Sequence, residues 1–138
     1  MLHPKLDELV RRDPRYAPEA YDFVRQALSH TQKMLRPGLT DPATAGAEED
    51  HHVSGRQLLE GVRDLALREF GLMARTVFRM WGINRTDDFG EIVFNLVEAN
   101  MMSKTDQDDR RDFHAVYDLD EALERGYRIE APQEAEDA

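Results

Sequence analysis

SGRQLLEGVRDLALREFGLMARTVFRMWGINRTDDFGEIVFNLVEANM, residues 54–101, decides the fold. Ser54 with Gln57 three residues on is a capping-box pattern, which places a helix N-terminus at the start of the stretch. Leu58, Leu59, Val62, Leu65, Ala66 and Phe70 then recur at helical spacing, and Gly71 follows as a natural stop. A second pattern, Leu72 to Trp81, sets Met73, Val77, Met80 and Trp81 on one side, with Ala74 and Phe78 beside them, and Gly82 closes it. Ile83-Asn84-Arg85 is a short connector. Thr86 or Asp87 caps a third pattern, whose apolar face is Phe89, Ile92, Val93, Leu96, Val97 and Met101. Its first turn carries Asp87, Asp88 and Glu91, suited to the positive end of a helix.

Working outward, Pro4 starts a short helix with Leu6, Leu9 and Val10 on its apolar stripe, and Asp13-Pro14 ends it. Pro18 opens a longer helix to about Leu35, with Tyr21, Val24, Leu28 and Thr31 on one face and Pro37-Gly38 as its stop. Residues 37–53 have loop composition and are expected to be flexible. After Met101 the pattern breaks. Phe113, Ala115 and Tyr117 alternate with His114 and Val116, a weak strand signal that would pair with 101–104 as a hairpin. A helical 105–117 is the competing reading. Asp118 or Asp120 caps a last short helix through Leu123, and the acidic tail 130–138 is expected to be disordered. The fold class expected is therefore mainly α, a compact domain of five to six helices over residues 1–129, with a hairpin after the fifth helix left open.

Composition narrows the function. The 138 residues carry a net charge of −10, and none is cysteine. Disulfides and thiolate metal sites are thereby excluded. The first residues contain no apolar leader core, and no long apolar run occurs, so a cytoplasmic location and no membrane partner are expected. The acidic balance argues against nucleic acid. Charge is unevenly spread: residues 54–85 hold six arginines against three acids, whereas 37–53, 86–100 and 130–138 each sum to −4.

The motifs tested for chemistry are weak. Asp88-Phe89-Gly90 spells the kinase metal-binding triplet, but the other kinase elements are missing and Phe89 falls on a buried face. The run Asp106, Asp108, Asp109, Asp112 fails the calcium-loop template, with Arg111 where glycine is required. His51 and His52 follow three acids without a second ligand pair at metal-binding spacing. No catalytic residue, cofactor site or metal site is expected. The open feature is Arg75 and Arg79, one turn apart and opposite Val77 and Trp81, with Arg85 just beyond. Like charges at this spacing want an answer. The first reading supplies it from Asp87, Asp88 and Glu91; the second supplies it from an anionic ligand or acidic partner.

Helices three to five followed by a hairpin have the order of a winged helix-turn-helix, yet the helix that would read DNA has four acids and no Lys or Arg. The segments YDFVRQALSHTQ, HVSGRQLLEGVRDLALREFG and WGINRTDDFGEIVFNLVEANMMSKT resemble a small bacterial family that carries a locus-tag name. The resemblance covers roughly residues 15–125. It implies a compact bacterial cytoplasmic domain and brings no catalytic or binding residues with it. The expected function is a non-enzymatic protein-interaction or scaffold domain, with a protein partner or self-association, and Phe94 and Met102 as candidate surface residues. An anion-binding protein or enzyme using Arg75, Arg79 and Arg85 is the alternative; DNA binding comes third.

Overall fold

A computed structural model describes residues 4–35, 53–102 and 110–125. Five α-helices run along it: α1 (Pro4–Arg12), α2 (Pro18–Leu35), α3 (Gly55–Phe70), α4 (Ala74–Met80) and α5 (Thr86–Glu98). No strand occurs among the described residues, so the fold is mainly α. The flexible loop and acidic tail expected at 37–53 and 130–138 lie almost wholly outside the described residues.

Helix ends follow the capping chemistry of the sequence, with one exchange of roles. At α3 both halves of the capping box form: the Gln57 amide donates to Ser54 Oγ at 3.1 Å and the Ser54 amide to Gln57 Oε1 at 2.9 Å. At α5 the cap is Asp88, working from inside the first turn. Its Oδ2 accepts from the amides of Asn84 (2.8 Å) and Arg85 (3.1 Å). Thr86, expected as a cap, is instead fully buried. Two helix ends close by the same motif. Ile83 N–H donates to Phe78 O (2.8 Å) and Gly82 N–H to Arg79 O (3.1 Å); Met101 and Asn100 repeat this on Leu96 and Val97 at the end of α5. Gly82 (φ +91°) and Asn100 (φ +59°) hold the left-handed positions that the motif requires. The fifth helix therefore stops at Glu98, three residues before the end read from periodicity.

Helices α2 and α3 form the central pair. They approach where a Cβ on Gly61 would overlap Thr31 Oγ1 and lie 2.8 Å from Thr31 Cβ, so only glycine fits there. Thr31 is buried, and its hydroxyl donates to Ala27 O at 2.6 Å. Under α4 lies an aromatic cluster: Phe23 meets Phe78 at 5.6 Å and Trp81 at 5.5 Å, and Phe78 meets Phe89 edge-on at 5.3 Å. Phe89 of the kinase-like triplet is thus a packing residue.

Over the described residues 110–117 the chain follows neither the strand nor the helical reading; residues 103–109, which both readings also used, lie outside the described residues. Arg110–Phe113 is a single 3-10 turn, and Ala115 has φ +46°, incompatible with a strand. Of the alternating residues only Phe113 is fully buried, against Gly55 and Gly90, where an added Cβ would come within 3.1 and 3.0 Å of its ring. The Thr86 hydroxyl donates to Phe113 O (2.6 Å) and accepts from Val116 N–H (3.1 Å). Tyr117 O–H reaches Leu59 O at 2.7 Å, Arg63 Nε reaches Ala122 O at 3.2 Å, and Leu119 and Leu123 are buried. Residues 110–123 thereby form a strap across α3, α4 and α5. Asp118 caps its last turn, accepting from Glu121 N–H at 3.1 Å.

Candidate functional site

Helix α4 is turned about its axis relative to the orientation its sequence suggests. Ala74, Arg75 and Phe78 face inward, with Arg75 only 7% exposed. Met73 and Met80, placed by periodicity on the core side, are 57% and 76% exposed, and Leu72 just before the helix is 64% exposed. The cause lies in the two ends. Gly71 (φ +53°) breaks α3 and a 3-10 turn, Gly71–Met73, restarts the chain in a new direction. At the far end Trp81 O accepts from Ala17 N–H at 3.1 Å, and a Cβ on Gly82 would collide with the Arg15 carbonyl. These contacts fix Phe78 and Trp81 onto Phe23, and the rotation of so short a helix follows.

Turning Arg75 inward requires its charge to be answered. Its Nε donates to Asp120 Oδ1 at 2.6 Å and its Nη1 to Ile83 O at 3.0 Å. Arg79 Nη2 reaches the same Asp120 oxygen at 3.3 Å, while remaining 53% exposed at its side chain. Both arginines are therefore brought together, but by the strap and not by the acids of α5. Those acids are committed elsewhere: Asp87 binds His114 Nδ1 at 2.7 Å and Ala115 N–H, Asp88 caps its own helix and accepts from Tyr16 O–H at 2.7 Å, and Glu91 lies 3.8 Å from Arg15. Arg85 stands apart from the pair in role, exposed at the start of α5.

What remains outward on α4 and the 3-10 turn before it falls, at helical spacing, in two adjoining rows. One is Met73, the half-buried Val77 and Met80; the other is Leu72, Thr76 and Arg79. Three of the five large apolar side chains that are exposed among the described residues belong to this surface; Met34 and Leu35, at the end of α2, are the other two. Phe94 and Met102, the residues first considered for such a surface, are both half-buried, and Met102 packs against the core. Sequence reasoning missed the surface because Leu72, Met73, Ala74, Val77, Phe78, Met80 and Trp81 encircle the helix, leaving no unique apolar face. No sequence signal marks it, because Arg75 is held inward by a partner, Asp120, that is distant in sequence.

The other polar clusters are internally satisfied. Arg15 grips Asp13 with two bonds (2.8 and 2.7 Å), Asn95 Nδ2 donates to Asp13 at 2.9 Å and to Tyr21 Oη at 3.0 Å, and the Arg15 guanidinium lies over the Tyr16 ring. The Arg15 hydrogen bonds hold the Asp13 carboxyl well below the usual carboxylate range, against the effect of its burial. Burial, reinforced by the bond to Asp88, pushes the Tyr16 hydroxyl up, keeping it a neutral donor. His30 pairs with Asp64 (2.7 Å) and His114 with Asp87, so the two histidines are not brought into one site. Among the described residues no group of three or more His, Cys, Asp or Glu is placed to hold a metal ion; His51 and His52 lie outside the described residues. No helix among the described residues is long and apolar enough to cross a membrane.

Because the folded pKa of Asp13 is depressed, its contribution to stability is present above the unfolded value, about 3.9, and is lost as pH falls through the folded value. The urea midpoint is therefore expected to fall on acidification below about pH 4. Asp13→Asn should lower the midpoint at pH 7 and flatten the acid slope. An unchanged slope in the variant would remove Asp13 from that account.

Comparison of the chain with protein-family models, curated proteins and solved structures finds no match.

Proposed function

We propose that the chain is a non-enzymatic protein-interaction domain of the bacterial cytoplasm, and that the outer face of α4 is its contact surface. One observation carries the reading: Leu72, Met73 and Met80, all within nine residues, are 64%, 57% and 76% exposed on a framework whose other large apolar groups are mostly buried. Exposed apolar side chains gathered in one patch are the usual mark of a binding surface, and methionine adapts its shape to a partner at little cost. The cytoplasmic and bacterial parts rest on the cysteine-free composition and the family resemblance. The anion-site alternative loses support because Arg75 is buried against Asp120 and Ile83 O and Arg85 stands apart, so the three arginines do not converge on one ligand. DNA binding has none from α5, which has four acids and no basic residue.

A photo-crosslinking side chain placed at Thr76, which is exposed in the centre of the face, tests the proposal in native cells. Discrete higher-mass products are expected from position 76 and not from Gln26, an exposed site on α2. Equal products from both positions, or none from 76, would overturn it.

A further inference from the structure

We infer that the occupant of the α4 face is an acidic amphipathic helix of a partner protein, and not a second copy of this chain. The inference rests on the interaction reading above and deepens it. Charge carries it. From Phe70 to Arg85 the chain contains three arginines and no acid. The described fold brings one carboxylate to the arginines of α4, Asp120, and shares it between two guanidiniums, at 2.6 and 3.3 Å. Among the described residues one positive charge on α4 is left over. It is held on Arg79, which is one turn from Thr76 and adjoins Met80 along the same exposed face. Asp120 is itself 54% exposed, so its pair with Arg79 lies at the surface, within reach of a further carboxylate.

A second copy would bring the same arginine and the same unanswered charge against this face, and like charges brought together across an interface work against association. An anionic lipid surface asks for a cluster of several basic side chains around the apolar patch, and this face carries one exposed cation, Arg79. A partner helix with apolar residues at i, i+3 or i+4, and i+7 fits the length of the rows, since α4 alone extends about 10 Å, two turns, and the 3-10 turn carrying Leu72 and Met73 adds to it. Glutamate or aspartate beside that stripe would then face Arg79.

The test uses the full chain with its methionine methyl groups carbon-13 labelled. The probe is a short designed amphipathic peptide, leucine on one face and glutamate on the other; its twin carries lysine for each glutamate. The expected result is that the glutamate peptide shifts the Met73 and Met80 methyl signals and binds at least about tenfold more tightly than the lysine twin. Met80→Glu, on a side chain 76% exposed, should abolish the shifts while the fold persists by circular dichroism. Equal binding of the two peptides, shifts confined to other methionines, binding unaffected by Met80→Glu, or no binding by either peptide would each overturn the acidic-helix inference. So would a dimer in light scattering that Met80→Glu dissolves, or sedimentation with phosphatidylserine vesicles that the same change abolishes. The dimer result would leave the interaction reading standing with a different occupant. Failure of the peptides alongside position-specific crosslinks from Thr76 separates the two claims in the same way.

Discussion

Phe113→Ala is expected to destabilise the protein by about 3–5 kcal/mol, the usual cost of deleting a buried aromatic ring. The ring is 3% exposed and rests against Gly55 of α3 and Gly90 of α5, two positions that lack side chains to fill the space left behind. Because neither backbone can collapse far inside a helix, the cavity should persist, which puts the cost toward the top of that range. The loss also loosens the anchoring of the strap, whose carbonyl at Phe113 accepts the buried Thr86 hydroxyl. Against a total stability of about 5–15 kcal/mol for a domain, this is a large fraction. Urea unfolding followed by circular dichroism measures it. A midpoint within experimental scatter of the parent would mean that the strap contributes little.

Gly61→Val is expected to cost about 3 kcal/mol, at the upper end of overpacking penalties. Helix propensity works in the opposite direction, since glycine is the poorer helix former. The geometry decides which wins. A Cβ at position 61 would overlap Thr31 Oγ1 and come within 2.8 Å of Thr31 Cβ, and a β-branched side chain in a helix has one strongly preferred rotamer. Helices α2 and α3 would have to separate, reaching the core residues Val24, Ala27, Leu58 and Val62 between them. Thr31→Ala should recover part of the loss in the double variant, and by more than the two single changes predict if added. Additivity would show that the clash lies elsewhere.

Much of the fold was legible because it is written in local chemistry. Ser54 and Gln57 announce α3, Pro18 announces α2, and Gly71 and Gly82 mark stops, each by a constraint that neighbouring residues impose on the backbone. The boundaries of α2 and α3 agree with that reading. The strap was not legible, because Phe113 is buried through two glycines distant in sequence, and no periodicity in 110–117 reports them. The rotation of α4 was misread for a related reason. Seven residues give two turns, apolar side chains lie all round them, and a charged group is assigned outward unless its partner is known. Asp120, the partner, stands 45 residues away from Arg75. Arg79 faces outward as its sequence reading had it, whereas Arg75 is buried and Met73 and Met80 take the exposed side.

The orientation of α4 is the claim on which the surface, its partner and its chemistry depend. Comparing the urea midpoints of Arg75→Met and Met80→Glu tests it most directly. Arg75→Met keeps most of the side chain's length and removes its bonds to Ile83 O and Asp120, so a loss of about 1–3 kcal/mol is expected. Met80→Glu changes a side chain 76% exposed and should stay within about 0.5 kcal/mol of the parent. The opposite ranking, with Met80→Glu strongly destabilising and Arg75→Met neutral, would place the methionines in the core and contradict the account.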